Sequence, residues 1–404
     1  MSQPASPRPR IADRLAPFGT NIFTTITALA NQHQAVNLSQ GFPDFDGPEF
    51  IRQAAAEALL REPNQYAPMP GVPALRRAIA ERFTRDTGLP VDADASVTVT
   101  CGCTEALPAA VFGTCNPGDG VILFEPFFDI HRSSIVMAGC RPIPVTLHRP
   151  QHAAGSGVVR EPFRFDQVQL RSAFASGARA ILVNTPHNPT GKVFTREELQ
   201  LIADLCIAHD VIAICDDVYE RLTFDQALPH VHLATLPGMA ERTITLSSAG
   251  KTFSLTGWKI GWAVAPPELT RSVRAAHQFL TFSVAPALQI GIAAALAREA
   301  ECVSPLVATL RANRDLLADA LVKLGCDIYF PPSGYFVMAD IAPLGESDDF
   351  EFVQRLIATR KVAAIPASAF YHTRHLGRTL VRFAFCKRPE TVAEGIRRMA
   401  ASIG

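Results

Sequence analysis

From Ser96 onward the chain keeps returning to one unit: a short apolar run, a turn, then a stretch with apolar residues at helical spacing. The runs are SVTVT, VILFEP, IPVTL, RAILVNTP, VIAICDDVYE, TITLSS and IGWAVAP, with EALPAAVFG, DQVQLRSAF and EELQLIADLCIAHD between them. Strands that are apolar on both sides must be covered on both faces, which intervening helices do in a mostly parallel sheet. The alternation predicts an α/β domain and excludes a solenoid, since no internal period is present. Beyond Leu269 the pattern turns helical, through RSVRAAHQFL and LQIGIAAALARE to VATLRANRDLLADALVKLG, and a long connecting helix is expected. The last segment alternates CDIYF, YFVMADI, KVAAIPA and LVRFAF with the helical DFEFVQRLIATR and ETVAEGIRRMAASI, which suits a smaller α+β domain. On the N-terminal side Asn21 to Ala30 is amphipathic and NLSQGFPDFDGP reads as a loop at a domain boundary. A helical pair from about Phe50 to Gly88 is interrupted by QYAPMPGVP.

A length of 404 residues leaves room for two domains, and 48% hydrophobic against 19% charged residues excludes extensive disorder. The 38 basic and 38 acidic residues cancel, so no global field draws the chain to nucleic acid or to an anionic membrane. Nine cysteines form no spaced framework, and Cys101, Cys206 and Cys215 sit in apolar runs as small hydrophobes. A reducing, cytoplasmic setting is expected. MSQPASPRPRIADRL carries positive charge with no apolar core after it, so no secretory signal is read there. No stretch approaches the roughly 20 apolar residues of a membrane-spanning helix.

In open α/β sheets ligands bind beyond the carboxyl ends of the strands, so the residues after each apolar run carry the chemistry. SVTVT leads through Gly102, Cys103 and Thr104 into a helix whose first amides offer an anion site. RAILV leads into the proline-fixed loop from Asn184 to Gly191, which presents Asn188. VIAIC ends in Asp216 and Asp217, closely followed by Tyr219 and Glu220. A buried acid there needs a positive partner, although a helix cap or a surface acid would also account for the pair. TITLSS leads to Lys251. Its neighbours Phe253 and Trp258 lower an amine's affinity for a proton and suit a Schiff-base nucleophile, against the commoner solvated lysine. LVRFAF sets Arg382 in an apolar strand, where a guanidinium requires either a structural acid or a substrate carboxylate. Cys101 with Cys103, and His230 with His232, lack the partner motif that completes a tetrahedral metal site. No metal is expected, and core thiols and loop histidines are the better account.

Taken in order, NLSQGFPDF, NQYAPMPGVPALRRAIA, GCTEA, NTPHNPTGKV, DDVYE, SSAGKTFSLTGWKIGW and RFAF resemble the class I/II aminotransferases that depend on pyridoxal 5′-phosphate. The resemblance runs from about residue 20 to the C-terminus and implies the aspartate aminotransferase fold, the type I fold of these enzymes. GFPDFDGP, SAGKTFSLTGWK, HQFLTFS and KVAAIPASAF look most like the kynurenine aminotransferase, glutamine transaminase and bacterial methionine aminotransferase group. The implied organisation is a segment 1–45 belonging with the small domain, a large cofactor-binding domain 46–295, and a small domain 296–404. Lys251 would be the Schiff-base lysine and the base that moves the substrate proton, and Asp216 would meet the pyridinium nitrogen. Asn188 and Tyr219 would hold the ring's phenolic oxygen, and Phe128 would stack on the ring. The phosphate would take the amides of Cys103 and Thr104, with Ser248 and Lys259. Tyr66 would reach the cofactor phosphate of a neighbouring subunit, which makes a homodimer part of the expectation. Arg382 would clamp the substrate α-carboxylate, helped by Asn188 and the backbone at Gly41. Phe282 and Tyr335 are either pocket-lining residues or ordinary core aromatics.

Some positions depart from that pattern. GCTEA has Cys103 where Ala is usual, EPFFDIHRSS has His131 where Tyr is common, and PPSGYF shifts a glycine. The last two are expected near the substrate pocket. The implied activity is transfer of the amino group of a neutral sulfur-containing or aromatic L-amino acid (methionine, glutamine, phenylalanine or kynurenine-like) to a 2-oxo acid in a ping-pong cycle. A cysteine-conjugate carbon–sulfur β-lyase would share the scaffold. A non-catalytic, cofactor-bound regulator would need an added DNA-binding module, and the roughly 40 residues before the fold and the neutral charge do not supply one.

Overall fold

The computed structural model describes residues 11–401 of the chain. Residues 1–10, where the reading of the N-terminus and the 1–45 span begin, and 402–404 lie outside the described residues. The apolar runs form an eight-stranded sheet. Its order is Val97–Cys101, Ile260–Val264, Thr243–Ser248, Ile212–Asp216, Ala178–Asn184, Gly120–Glu125, Arg141–His148 and Arg164–Phe165. The five strands from Thr243–Ser248 to Arg141–His148 pair in parallel. Ile260–Val264 runs antiparallel to both its neighbours, and Arg164–Phe165 runs antiparallel to Arg141–His148. Gly120–Glu125, Ile212–Asp216 and Thr243–Ser248 are buried along their whole length, as runs apolar on both faces require.

The helical stretch after this sheet is three helices, Pro267–Leu280, Pro286–Ala297 and Glu299–Lys323, and the last is the long one, with 25 residues. Phe282, with φ of +69°, and Pro286 at the next helix start mark the first break. A five-stranded sheet follows, ordered Ile365–Pro366, Leu380–Ala384, Phe336–Asp340, Asp327–Tyr329 and Val158–Val159. Its outermost strand comes from far earlier in the chain, within the span 46–295. The Asp327 carboxylate fixes that excursion by accepting from the Gly155 and Gly157 amides at 2.9 and 2.6 Å. KVAAIPA divides into two short strands. Val362–Ala363 pairs in parallel with Val36–Asn37, which brings the N-terminal segment, with its Asn21-capped helix Ile22–Gln32, back to the C-terminal region. Among the described residues no helix is long and apolar enough to cross a membrane.

Candidate active site

A cavity of about 610 Å³ lies at the carboxyl ends of Val97–Cys101, Ala178–Asn184, Ile212–Asp216 and Thr243–Ser248. Its lining brings together Gly41, Cys103, Thr104, Phe128, Asn188, Asp216, Tyr219, Ser248, Lys251, Lys259 and Arg382, every residue expected from the sequence except Tyr66. Side chains from positions more than three hundred residues apart thus converge where an open α/β sheet offers its ligand crevice.

Lys251 sits on the short helix Ala249–Thr252, directly after a buried strand. Its Nζ donates to the Gly41 carbonyl at 2.7 Å and stands 5.6 and 5.3 Å over the rings of Tyr219 and Tyr335. Burial pulls the pKa of this amine down to about 8. Gly41 can approach because it lacks a side chain: a Cβ there would fall 2.4 Å from the Phe336 ring. Tyr335 does not line the cavity; its hydroxyl donates to the Lys251 carbonyl at 2.8 Å, and Phe336 takes the lining position.

Asp216 is buried, with His131 Nε2 at 2.9 Å from Oδ2 and the Cys103 thiol donating to Oδ1 at 3.6 Å. His131, expected near the substrate pocket, does not line the cavity itself but stands directly behind it as a buried partner of Asp216. Burial, reinforced by Asp216, pushes the Cys103 thiol well up, so it stays a neutral donor. Burial likewise raises the Tyr219 hydroxyl, which remains protonated at neutral pH.

Beside them is an anion cradle. Gly102, with φ of +71°, turns the chain into the helix Cys103–Thr114. On the adjacent strand a Cβ at Gly261 would lie 2.4 Å from the Gly102 carbonyl carbon, so close packing at this turn requires glycine on both sides. Lys259 donates to Thr104 Oγ1 at 2.9 Å, which adds a cation to free helix-start amides.

Arg382 is 1% exposed within the strand Leu380–Ala384. It donates to Asn188 Oδ1 at 3.0 Å and to the Ser39 carbonyl at 2.9 Å, and its buried Nε has no partner. Its guanidinium lies 3.9 Å over Phe336 and 4.7 Å over Phe370. Among the described residues no carboxylate pairs with it, and burial lowers its pKa to about 10. The anion that its place in the strand requires is not supplied by the fold.

Tyr66 is 84% exposed and meets the ring of Phe282 edge-on at 5.5 Å; Phe282 is itself half-exposed, so neither lines the cavity within one chain. Asp217 turns away from the cavity, and His232 Nδ1 and His230 Nε2 approach its Oδ2 at 2.9 and 3.1 Å. The two histidines are thus not free loop residues. Nothing in their spacing pointed to Asp217, but period-two alternation sets Asp216 and Asp217 on opposite faces, and that signal was in the sequence.

Comparison with known proteins agrees with this geometry. The family model for aminotransferase class I and II matches residues 33–399. A probable N-succinyldiaminopimelate aminotransferase from Mycobacterium tuberculosis is 44% identical over 395 residues, covering 96% of this chain and 97% of the relative. The methionine aminotransferase of Escherichia coli is 38% identical over 386 residues, with 96% and 97% covered. The solved structure of N-succinyldiaminopimelate aminotransferase from M. tuberculosis has a TM-score of 0.91 at 45% identity, covering 96% of this chain and 99% of its own. A lysine and a buried arginine without a carboxylate partner facing one cavity, on a fold shared over nearly the whole chain, lead to one assignment: the chain belongs to the class I and II aminotransferase family.

Proposed function

We propose that the cavity binds pyridoxal 5′-phosphate and that the enzyme moves the amino group of a neutral sulfur-containing or aromatic L-amino acid to a 2-oxo acid. The donor set fits that cofactor. Asp216 is a buried carboxylate for a ring nitrogen that must stay protonated, and Lys251 offers a partly deprotonated amine. The amides at Cys103 and Thr104, with Lys259 and Ser248, suit a phosphate dianion, and Gly102 with Gly261 keeps that cradle open. When bound, the cofactor supplies a sink for the electron pair released as the substrate Cα loses its proton.

The chain's own residues do the rest. Arg382 binds the substrate α-carboxylate and fixes the orientation of Cα. Lys251 Nζ takes the proton from Cα and returns it; with a pKa of about 8, roughly a tenth of it is free base at pH 7. Asn188 and the protonated Tyr219 hydrogen-bond the ring's oxygen, and Phe128 covers its face.

The observation that carries the donor class is the remainder of the lining. Phe23, Phe42, Ile130 and Phe336 are apolar, Asn21, Thr24 and Gln40 are neutral, and Asp129 is acidic. The lining cations, Lys251, Lys259 and Arg382, are each committed to other groups. A thioether or an aromatic ring therefore finds apolar surface, whereas a distal carboxylate finds no uncommitted cation in the lining among the described residues. The 44% identical relative favours a second reading, an N-acylated diamino acid with a distal anion, whose charge a neighbouring subunit would have to meet. A donor panel separates them: methionine, phenylalanine, glutamine, kynurenine and N-succinyldiaminopimelate, each with several 2-oxo acids. The proposal expects the highest kcat/KM for methionine or an aromatic donor. A strong preference for the succinylated donor replaces it, and pyruvate and ammonia released from a cysteine conjugate in place of transfer indicates the β-lyase.

The same reading makes the protein a homodimer in which Tyr66 serves the neighbouring site. Supporting it, Tyr66, Phe279, Leu280 and Phe282 are large apolar residues left exposed on one chain. Light scattering is expected to give twice the chain mass, and an active monomer would remove this part of the proposal.

A further inference from the structure

We infer that Asp217, His230 and His232 form a binding site for a divalent transition-metal ion of the zinc type, separate from the cavity. The three donor atoms form a nearly equilateral triangle. Asp217 Oδ2 lies 2.9 Å from His232 Nδ1 and 3.1 Å from His230 Nε2, and the two nitrogens are 3.3 Å apart. A tetrahedral zinc site with bonds of about 2.0–2.1 Å has donor-to-donor edges of about 3.3 Å, so one ion placed off this triangle reaches all three. Glu220 stands close enough to belong to the group, its ligand atom lying within 4.8 Å of the other three.

A purely hydrogen-bonded cluster satisfies the same atoms less well. If both imidazoles donate to Asp217 Oδ2, their nitrogens face each other at 3.3 Å with no bond between them. With His232 neutral, its Nε2 then turns a lone pair toward Glu220 Oε2 at 3.5 Å, a clash that only a proton on that ring relieves, and Asp217 Oδ1 is buried with no partner in either case. With an ion at the triangle the tautomers reverse. Both lone pairs point at the metal, His232 Nε2 carries a proton for Glu220, and Asp217 Oδ1 is free to share the ion, while His230 Nδ1 stays without a partner with or without the ion. A carboxylate behind a ligating histidine is the usual outer partner of such sites. Glu220 Oε1 is already taken by Arg82 at 2.8 Å and Ser247 at 2.7 Å, which fixes the carboxylate in that supporting position. Two imidazoles with one carboxylate are borderline ligands, suited to Zn(II) and its probe Co(II) rather than to Mg(II) or Ca(II). The bound ion would pin the segment holding His230 and His232 to the end of the strand that carries Asp216, with no part in the chemistry.

The test uses the holoenzyme, dialysed against a chelator and titrated with Zn(II) and, separately, Co(II). One equivalent of zinc bound per chain is expected, with a raised Tm. Co(II) is expected to give the visible bands of a four-coordinate ion that zinc then displaces. His232→Asn should weaken binding by roughly a hundredfold or more, whereas His209→Asn, at an exposed histidine, should not. No stoichiometric binding by the folded wild-type enzyme overturns the inference, and so does unchanged affinity in His232→Asn. Should that variant fail to fold, the cobalt spectrum and zinc competition on the wild type decide alone.

Discussion

Arg82 donates to Glu220 at 2.8 Å and to Glu299 at 2.7 Å, whereas Arg382, equally buried, meets only an amide oxygen, a backbone carbonyl and aromatic faces. Burial penalises the charge of both. For Arg82 the two acids outweigh it and the pKa rises; for Arg382 nothing among the described residues does, and the pKa falls to about 10. A buried cation balanced within the fold ties elements together, here the helices Pro73–Thr87 and Glu299–Lys323 and the turn after Asp216. A buried cation left unbalanced marks where an anion from outside belongs.

The comparison breaks most visibly at Arg382. Arg382→Leu should lower kcat/KM for α-amino acid donors about a thousandfold, the worth of two charge-assisted hydrogen bonds, while Tm stays level or rises because an unpaired buried charge is gone. A large fall in Tm with activity kept would mean that Arg382 is a structural cation after all. Arg82→Leu is the mirror experiment. It strands Glu220 and Glu299 and should cost about 3–5 kcal/mol of stability, read from the urea midpoint, with kcat/KM per folded molecule changed only a few-fold. Unchanged stability would show that the neighbouring cations, Arg85 and Arg221, already neutralise Glu299.

The two arginines also show what was legible in the sequence. Arg382 stood out because it interrupts an apolar strand, and that local anomaly needs no knowledge of distant partners. Arg82 lies among other charged residues on an amphipathic helix, and its acids are 138 and 217 positions away, so its burial could not be read locally. The same division holds elsewhere. Strands with continuous apolar runs, and the cavity residues that follow them, were readable from pattern and motif. Val158–Val159, two residues docked on a sheet assembled mostly from the C-terminal third, carried no pattern. The turn of His131 toward Asp216 depends on an 85-residue separation that no spacing encodes. Fold and cavity lining were visible wherever chemistry sits beside a regular element, and hidden wherever two distant charges choose each other.

A smaller effect sharpens the contrast through pH. If Lys251 is the Schiff-base lysine proposed above, it would react as the free amine, so cofactor uptake by the apoprotein should rise about tenfold per pH unit below 8 and level off above it. Burial is the main cause of the lowered pKa, and the positive charge of Arg382 adds to it. Arg382→Leu should therefore move the midpoint upward, and Arg82→Leu should leave it in place. A midpoint unmoved by Arg382→Leu would show that the two cationic groups do not sense each other.

The smallest expected change is at Asp216, a buried charge between the two extremes, touched by two donors of unequal strength. The His131 nitrogen lies at 2.9 Å and the Cys103 thiol at 3.6 Å, and a thiol is a weak donor. His131→Phe removes the stronger contact and leaves Asp216 facing an apolar ring, so kcat should fall roughly tenfold as the carboxylate loses the hydrogen bond that fixes its position. Cys103→Ala removes the weaker contact and keeps the backbone amide and the Lys259 to Thr104 bond of the anion cradle, so kcat/KM should change less than about twofold. If the order were reversed, the thiol would be the group that holds Asp216 in place, and Cys103 would join Arg382 as a residue whose value lies in the cavity rather than in the fold.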